Sequence, residues 1–547
     1  MKFAAPTAAA VAILLSVASA APQATPRSSG MVYSFSDLNP TADLMWTPCY
    51  DNFTCALLQV PLDYEDLSVG TTKVAIIKKP SSNASAEDLL VNPGGPGSSG
   101  VNLVLNNYGT IAAKVGSQFN IVGIDPRGVN NSGPDLDCFR GYSPIARNAF
   151  YANAFAVPDN TSEYGLARSF QLTGAYGDWC SGVYSVNGTA KYANTVAVAH
   201  DFLHYIELRE KGLGGDARNA KLWYYGVSYG TVLGATFASL FPDRIARMIL
   251  DGVVDSEEYY NGKWDSSPSD TDQAVRFLFQ ACFAAGPDKC AFHQQATSSE
   301  ELEQRYLAIM DSLRKSPIAV GDPLSETTIA LGLIPTVVTW QDLMSDTLSV
   351  AILPRLQLRG FVQTLAELET GKGERLAAII DSANIASPYI GDTFGLQAAE
   401  RLITCLDANG RSKISTIDEY RDYVNSLART SEHGGLAVAG NLGAVCRKLD
   451  ILPPKSQVFE GTPGANKTSV PILWIGNTAD PMTPLRSAKK MASLFPESRV
   501  LTFNTTGHAS TNTPSKCITS YTQRYMLDAS LPPQDAVCEP DDYEIRW

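Results

Sequence analysis

The stretch Leu222-Trp223-Tyr224-Tyr225-Gly226-Val227-Ser228-Tyr229-Gly230-Thr231 decides the fold class of this 547-residue chain. Its apolar start predicts a buried strand, and Thr231–Phe241 has a helical composition. The segment between them fits G-x-S-x-G, in which a serine occupies a tight, strained turn from a strand into a helix. The pentapeptide alone is a weak signal, but the flanking strand and helix supply the context that it needs. The pattern therefore predicts Ser228 as a nucleophile.

Other apolar runs on both sides of this motif predict further strands of the same sheet. They are Ala56–Val60, Lys73–Lys79, Leu89–Asn92, Phe119–Ile124, Arg247–Leu250, Val470–Ile475 and Ser498–Phe503. Strands that alternate with helices such as Asn194–Glu210 through short connections are typical of a parallel sheet covered by helices. The fold class predicted is α/β.

A long helical segment interrupts this alternation. From about Ser256 to Thr468 the sequence is mostly helix-like, and strand-like runs resume only afterwards. An insertion of this length between two strands predicts a cap or lid. The predicted organisation is a sheet-forming core over 21–255, a helical cap over 256–468 and the rest of the core over 469–547.

A serine hydroxyl needs a general base, and the chain has five histidines. His508 follows the last predicted strand directly and is the candidate. His200 and His204 share a helix face at i, i+4, which is one half of a metal-site pattern. The Glu of that pattern and a third nearby ligand are missing, so no metal site is predicted.

The acid that orients the base is expected after a strand that lies between the serine and the histidine in sequence. Asp480 follows the predicted strand Val470–Ile475 and is the candidate, with Asp255 as the substitute. Thr483, three residues after Asp480, is expected to fix the turn through side-chain to backbone hydrogen bonds.

A tetrahedral intermediate needs two backbone N–H donors. One is expected from Tyr229, the residue after the nucleophile. The other is expected from the loop Pro93-Gly94-Gly95-Pro96-Gly97. Its prolines carry no N–H, which leaves Gly94 and Gly95, of which Gly95 is preferred. A plain turn or a phosphate cradle would also explain this loop, but the Gly-Lys-Ser/Thr ending of a P-loop is missing.

Composition places the chain among globular, exported proteins. Its net charge of -13 argues against a nucleic-acid partner. Residues 1–20 have the basic start, apolar run and Ala18-Ser19-Ala20 site of a cleaved signal peptide, and no later run is long enough to cross a membrane. A secreted, extracellular protein is therefore expected.

The ten cysteines are an even number, which in an exported chain indicates disulfides. Sequence alone leaves their connectivity open. Pairing nearest neighbours suggests Cys49–Cys55, Cys138–Cys180, Cys282–Cys290, Cys405–Cys446 and Cys517–Cys538. Seven sequons permit N-glycosylation in a eukaryotic host, at Asn52, Asn83, Asn130, Asn160, Asn187, Asn466 and Asn504.

Five motifs in order carry a resemblance to a known family. They are Val91–Gly100, Asp125-Pro126-Arg127-Gly128, Tyr225–Thr231, Asp480-Pro481-Met482-Thr483-Pro484 and Gly507-His508. The chain resembles the tripeptidyl aminopeptidase-like branch of the α/β-hydrolases, related to prolyl aminopeptidases, over nearly the whole mature length. The family often has a further glycine after the histidine, where this chain has Ala509-Ser510, and we expect that difference to alter a loop only.

This resemblance implies an α/β-hydrolase fold with a helical cap and a secreted serine hydrolase that removes short peptides or proline from free amino termini. Ser228, His508 and Asp480 are then nucleophile, base and orienting acid, and no cofactor or metal is implied. The stretch Leu402–Asp407 resembles the family's Cys-x-Asp segment. Because an exopeptidase must bind an ammonium group, Asp407 and Glu400 are candidate partners for it, although a solvated or structural role is the more common one for such carboxylates.

Two other functions stay open at this point. A secreted carboxylesterase would use the same three residues, since relatives with these motifs also cleave esters. A hydrolase fold without activity, used for binding, is the alternative outside the enzymes, but a retired site tends to lose one of its three residues. The expected partners are peptides with free amino termini, with no nucleic acid and no membrane. The sequence leaves the oligomeric state open.

Overall fold

A ten-stranded, mostly parallel sheet forms the centre of the computed structural model, which describes residues 30–547 except 187, 385–394, 413, 542–544 and 546. The predicted signal peptide and the sequon at Asn187 lie outside the described residues. The strands of the described residues are β1 (Thr47–Cys49), β2 (Phe53–Pro61), β3 (Thr71–Lys79), β4 (Asp88–Asn92), β5 (Asn120–Ile124), β6 (Leu222–Val227), β7 (Ile245–Asp251), β8 (Ile318–Val320), β9 (Thr336–Val338), β10 (Leu473–Ala479), β11 (Arg499–Thr506) and β12 (Val537–Cys538). Strands β8 and β9 pair with each other in a separate two-stranded sheet, and the other ten form the central one.

The strand order in the sheet is β1-β2-β3-β5-β4-β6-β7-β10-β11-β12. The pairs from β5 to β12 are parallel, whereas β1, β2 and β3 join antiparallel at one edge. All five residues of β4 are buried, as expected for a strand with both faces covered. Because the strands β6, β7, β10 and β11 are parallel neighbours, their carboxyl ends share one edge of the sheet.

Helices cover both faces of the sheet and fill the insertion between β7 and β10. They are α1 (Gly100–Val115), α2 (Pro144–Ala154), α3 (Glu163–Val186), α4 (Thr195–Gly212), α5 (Tyr229–Leu240), α6 (Ser256–Tyr260), α7 (Thr271–Ala285), α8 (Ser299–Lys315), α9 (Glu326–Leu331), α10 (Trp340–Ile352), α11 (Pro354–Glu369), α12 (Glu374–Asn384), α13 (Gly395–Ala408), α14 (Ile417–Thr430), α15 (Gly435–Val438), α16 (Leu485–Ser493) and α17 (Lys516–Asp528).

Three apolar cores hold these layers together. One core joins one face of the sheet to α1 and α17, and a second joins the other face to α4, α5 and α16. The third lies within the insertion and is built from α7, α8, α10, α11 and α14. Leu166 and Phe170 of α3 belong to this third core, although α3 precedes the nucleophile in sequence. The predicted α/β-hydrolase fold is confirmed.

Disulfides join all ten cysteines, and the nearest-neighbour pairing is confirmed. The pairs are Cys49–Cys55, Cys138–Cys180, Cys282–Cys290, Cys405–Cys446 and Cys517–Cys538. Within the described part of the chain, every helix is too short or too polar to cross a lipid bilayer.

Candidate active site

Ser228 lies at the turn between β6 and α5, with φ 57° and ψ -124°. This conformation is costly for a residue with a side chain, and the neighbouring glycines explain how the turn tolerates it. A Cβ on Gly226 would lie 2.4 Å from the carbonyl oxygen of Gly230, and one on Gly230 would lie 2.9 Å from that of Asn92. The turn can therefore close only with glycine at both positions, and it leaves Ser228 half-buried.

The loop after β4 lies directly against this turn. A Cβ on Gly94 would come within 2.8 Å of the Ser228 Cβ, so the loop backbone touches the serine. The N–H of Gly94 donates to Oδ1 of Asn92 at 3.0 Å and is already used. Gly95, Ser228 and Tyr229 line one cavity. Of the two glycines considered, the geometry favours Gly95 as an oxyanion donor beside Tyr229.

Asp480, which is fully buried, and His508, which is partly exposed, form a hydrogen-bonded pair at the ends of β10 and β11. His508 Nδ1 lies 3.0 Å from Asp480 Oδ1 and 3.1 Å from Oδ2. The carboxylate also accepts the N–H groups of Met482, Thr483 and Ala509 and the hydroxyl of Thr483, at 2.8 to 3.0 Å. Thr483 was expected to bond to the backbone, but its hydroxyl binds the carboxylate itself. These donors hold Asp480 in one orientation.

The electrostatics of this pair suit a base and its orienting acid. Burial alone would raise the pKa of Asp480, but the charge and hydrogen bond of His508 and the N–H groups around it outweigh burial and lower that pKa. Burial would lower the pKa of His508, but the charge and hydrogen bond of Asp480 and the charge of Asp251 raise it above 6.5. Asp480 is thus held ionised, and His508 is made more basic.

The three predicted residues lie on one edge of the sheet, after the neighbouring strands β6, β10 and β11. No hydrogen bond joins the Ser228 hydroxyl to the His508 imidazole within the described residues. Catalytic contacts are often long without a bound substrate. Asp251 of β7 does connect the two loops, because its backbone carbonyl accepts the Ser228 N–H at 3.0 Å and its side-chain Oδ1 accepts the Ser510 N–H at 2.9 Å.

The cavity beside Ser228 is shared between the sheet and the insertion. Gly95, Ser228 and Tyr229 line it on the side of the sheet, and Glu400 and Thr404 of α13 line it as well. Burial raises the pKa of the Glu400 carboxyl, which the charge of Arg401 partly offsets. The structure therefore places one of the two predicted cap carboxylates beside the nucleophile.

Asp407, the other predicted cap carboxylate, is hydrogen-bonded to Thr195 and Tyr259 inside the protein. Its oxygens accept the Thr195 N–H at 2.9 Å, the Thr195 hydroxyl at 2.5 Å and the Tyr259 hydroxyl at 2.8 Å. Burial raises the pKa of Asp407 to about 6. The side chain is saturated with internal donors, so the geometry assigns it to holding α13 against the core.

The other predicted alternatives have structural partners. Asp255 accepts two N–H groups at the start of α6 and pairs with Lys490 at 2.7 Å. His200 stacks on Tyr64, and His204 meets the edge of the same ring. No group of three or more His, Cys, Asp or Glu suited to a metal ion occurs among the residues described.

Sequence reasoning missed two residues that hold the His508 loop. Asn477 Nδ2 donates to the carbonyls of Gly507 and Ala509 at 2.8 and 2.9 Å. Asp251, fully buried at the end of β7, binds Ser510. An acidic residue at the carboxyl end of a predicted buried strand is the signal that could have identified Asp251.

The chain is similar in sequence to several known proteins. Residues 437–538 match the family described as TAP-like protein. The chain is 28% identical over 509 residues to a Mycobacterium tuberculosis protein named serine protease Hip1, covering 90% of each. It is 27% identical over 496 residues to carboxylesterase B of that organism, covering 89% of this chain and 86% of the relative. It is 24% identical over 524 residues to the tripeptidyl aminopeptidase of Streptomyces lividans, covering 91% and 87%.

Fold and relatives together define an α/β-hydrolase enzyme of the serine hydrolase class. The resemblance to the tripeptidyl aminopeptidase-like branch is confirmed by the TAP-like match and by the similarity along most of the chain. These relatives support a serine peptidase.

Proposed function

We propose that the protein is a secreted serine exopeptidase that cleaves peptide bonds near free amino termini, with Ser228, His508 and Asp480 as its triad. The observation that carries this proposal is the position of Glu400, an acidic residue of the insertion that lines the same cavity as Ser228 and Tyr229. A negative charge close to the nucleophile suits a substrate whose positive amino terminus lies close to the scissile bond.

In the proposed reaction, Ser228 Oγ attacks the scissile carbonyl carbon while His508 Nε2 takes the hydroxyl proton. The N–H groups of Tyr229 and Gly95 stabilise the oxyanion, and Asp480 holds the imidazolium. The tetrahedral intermediate expels the leaving amine, which receives the proton from His508. Water, deprotonated by His508, then attacks the acyl-enzyme, and the imidazolium returns its proton to Ser228 Oγ.

The cap is proposed to give this chemistry its exopeptidase character. Helix α13 brings Glu400 and Thr404 to the cavity, and Trp264 and Leu442 of the insertion line it as well. Such a wall limits how much peptide lies beyond the scissile bond. A substrate ammonium would also offset the burial cost of the Glu400 carboxylate, so the two groups stabilise each other's charged forms.

A carboxylesterase with the same triad is the second candidate. One relative is named carboxylesterase B, and the cavity also has apolar walls, including Val254 and Met482, that suit an acyl chain. This alternative makes a different prediction for Glu400, since an ester without an amine has no charge for that carboxylate to bind.

The experiment compares aminoacyl, prolyl and tripeptidyl chromogenic amides that have free or acetylated amino termini. We expect acetylation to lower kcat/KM at least about tenfold, the worth of one charge-assisted hydrogen bond. Glu400→Gln should remove most of this preference and spare hydrolysis of short acyl esters. Asp407→Asn is the matched control, because its carboxylate is bound internally, and it should retain the preference.

Equal cleavage of free and blocked amides by the wild type would rule out the exopeptidase assignment. An esterase or endopeptidase would then replace it, and the ester and internally quenched peptide substrates in the same assay would separate these two.

Export is part of the proposal. Five disulfides suit an oxidising compartment, and the predicted cleavage site follows Ala20. Amino-terminal sequencing of the protein from culture medium should give a first residue of Ala21 or one further along the chain. Recovery only from the cell interior with Met1 retained would contradict export.

A further inference from the structure

A buried ion pair lies beneath the proposed triad, and the reaction steps above do not use it. Asp251 is fully buried at the end of β7, and its Oδ2 accepts Lys114 Nζ of α1 at 3.1 Å and the Tyr225 hydroxyl at 2.7 Å. A buried charge pair is costly unless further hydrogen bonds satisfy it. Here Ser510 supplies them, because its N–H donates to Oδ1 at 2.9 Å and its hydroxyl donates to Oδ2 at 2.5 Å.

Asp251 contacts both the turn that carries Ser228 and the loop that carries His508. Its backbone carbonyl accepts the Ser228 N–H at 3.0 Å, and its carboxylate holds Ser510, two residues after His508. Lys114 Nζ also donates to the Ser510 hydroxyl. One residue therefore fixes the loop of the nucleophile with its main chain and the loop of the base with its side chain.

The His508 loop needs such support because its backbone is strained. Ala509 has φ 58°, a conformation that residues with a side chain rarely adopt. The N–H of Ala509 donates to Asp480 and the next N–H, of Ser510, donates to Asp251, so two carboxylates hold two consecutive amides.

We propose that Asp251, paired with Lys114, is a positioning residue that locks the His508 loop to the strand beside Ser228 and places a negative charge behind that loop. The inference rests on the proposed triad but not on the proposed substrate. Charged groups reach His508 and its loop from each packed element. Asp480 binds the imidazole, Asp251 and Lys114 both bind Ser510, and Arg355 of α11 donates to the carbonyl of Asn512.

The test measures how fast a fluorophosphonate labels Ser228 as a function of pH, because this rate reports on serine activation without a known substrate. Asp251→Asn keeps the side-chain shape but removes its charge. We expect its labelling rate to fall about tenfold or more, and the midpoint of its pH profile to move down by at least about half a pH unit. Ser510→Ala keeps the charge, so its rate should fall several-fold with an unchanged midpoint.

Asp88→Asn is the matched control. Asp88 lies at the opposite end of the sheet and is also buried against a tyrosine hydroxyl and cations, since it accepts Tyr205 at 2.7 Å and pairs with Arg209 at 3.2 Å and Lys78 at 3.5 Å. The Asp88→Asn substitution should lower the melting temperature. It should leave unchanged the labelling rate per folded molecule and the midpoint of the pH profile of labelling. A purely structural role for Asp251 would give this same pattern.

The outcomes separate the two proposals. If Ser228→Ala is labelled as fast as the wild type, the triad itself is wrong. If labelling depends on Ser228 but Asp251→Asn keeps the wild-type rate and midpoint, only the role of Asp251 is overturned. If Asp251→Asn does not fold, Ser510→Ala decides, and a wild-type rate for that variant overturns the inference.

Discussion

At the residue scale, Ser228 combines a reactive position with a strained backbone. Removing its hydroxyl should abolish turnover, so we expect kcat to fall by roughly 10³-fold or more in both Ser228→Ala and Ser228→Gly. At φ 57° and ψ -124°, glycine avoids strain that alanine retains. Ser228→Gly should therefore be the more stable variant by about 1 kcal/mol, after its larger loss of chain entropy. Thermal melts of both variants check this, and equal melting temperatures would mean that the turn stores no strain.

The pH dependence of activity should follow His508, whose pKa is raised above 6.5. Because a base must be neutral, kcat/KM should be maximal above this pKa and fall as pH decreases through it. Asp480→Asn removes the negative partner and leaves burial dominant, so the midpoint should move to lower pH and the plateau kcat should fall by about 10²-fold or more.

Asp255→Asn is the control for this pH profile. Asp255 is also buried and ion-paired, but its partner is Lys490 and not His508. It should keep both the plateau and the midpoint. A near-native plateau in Asp480→Asn, with a loss in Asp255→Asn, would transfer the acid role to Asp255.

At the element scale, α13 is held to the core by a buried carboxyl group. Burial raises the pKa of Asp407 from 3.8 to about 6, so the folded state binds its proton more tightly than the unfolded state. This contribution to the free energy of unfolding is fully present below the unfolded pKa of 3.8 and is lost as pH rises through the folded pKa of about 6. The shift in pKa corresponds to a loss of about 3 kcal/mol.

Asp407→Asn should remove this loss, since an amide stays neutral and can both accept from the Thr195 N–H and donate to hydroxyls. As pH rises from 5 to 8, the melting temperature of Asp407→Asn should increase relative to that of the wild type. A constant difference across this range would show that Asp407 is already ionised in the folded protein at pH 5, so that its pKa is not raised.

Elements of the sheet could be predicted from sequence because buried parallel strands are continuous apolar runs. The predicted strand Leu222–Tyr225 extends to Val227, and Val470–Ile475 begins instead at Leu473. Strand β6 continues into the glycine turn because Gly226 and Val227 are still paired with β7, and β10 begins at Leu473 because its pairing with β7 and β11 begins there. The candidates Ser228, Asp480 and His508 were identifiable because each follows such a strand.

Other features were not predictable because they depend on distant parts of the chain. Asp407 was interpreted as a ligand for an ammonium group, but its donor Thr195 lies 212 residues away in sequence. Likewise, α3 joins the core of the insertion through contacts such as Phe170 on Tyr420, which no local pattern reveals. Periodicity identifies a helix face that must be buried, but not the element that buries it.

At the scale of the whole molecule, the insertion holds the loops that carry the proposed triad. The hydroxyls of Ser267 and Thr271 donate to the carbonyls of Met482 and Pro481, both at 2.8 Å. The His508 N–H donates to the carbonyl of Ile352 at 3.0 Å. The cap is therefore part of the scaffold of the site, since the Asp480 and His508 loops both depend on its backbone and side chains.

Within this scaffold, the disulfide Cys405–Cys446 connects two segments that line the cavity. Cys405 lies on α13 beside Thr404, and Cys446 follows Leu442 closely in sequence. Replacing both cysteines with alanine should cost about 2–4 kcal/mol of stability, because the link closes a long loop. It should also let α13 move, so that KM for free-amine peptides rises several-fold while ester hydrolysis changes little.

The pair Cys282–Cys290 offers the matched control, because it closes a short loop within the insertion and both sulfurs lie in the core of the cap. Its double alanine variant should lose stability but keep the wild-type ratio of kcat/KM for free over acetylated amides, since none of its atoms reaches the cavity. The Cys405–Cys446 variant should lower that ratio toward the value for Glu400→Gln. If both cysteine variants keep the same ratio, the position of α13 does not set amine recognition, and Glu400 must act without the cap holding it in place.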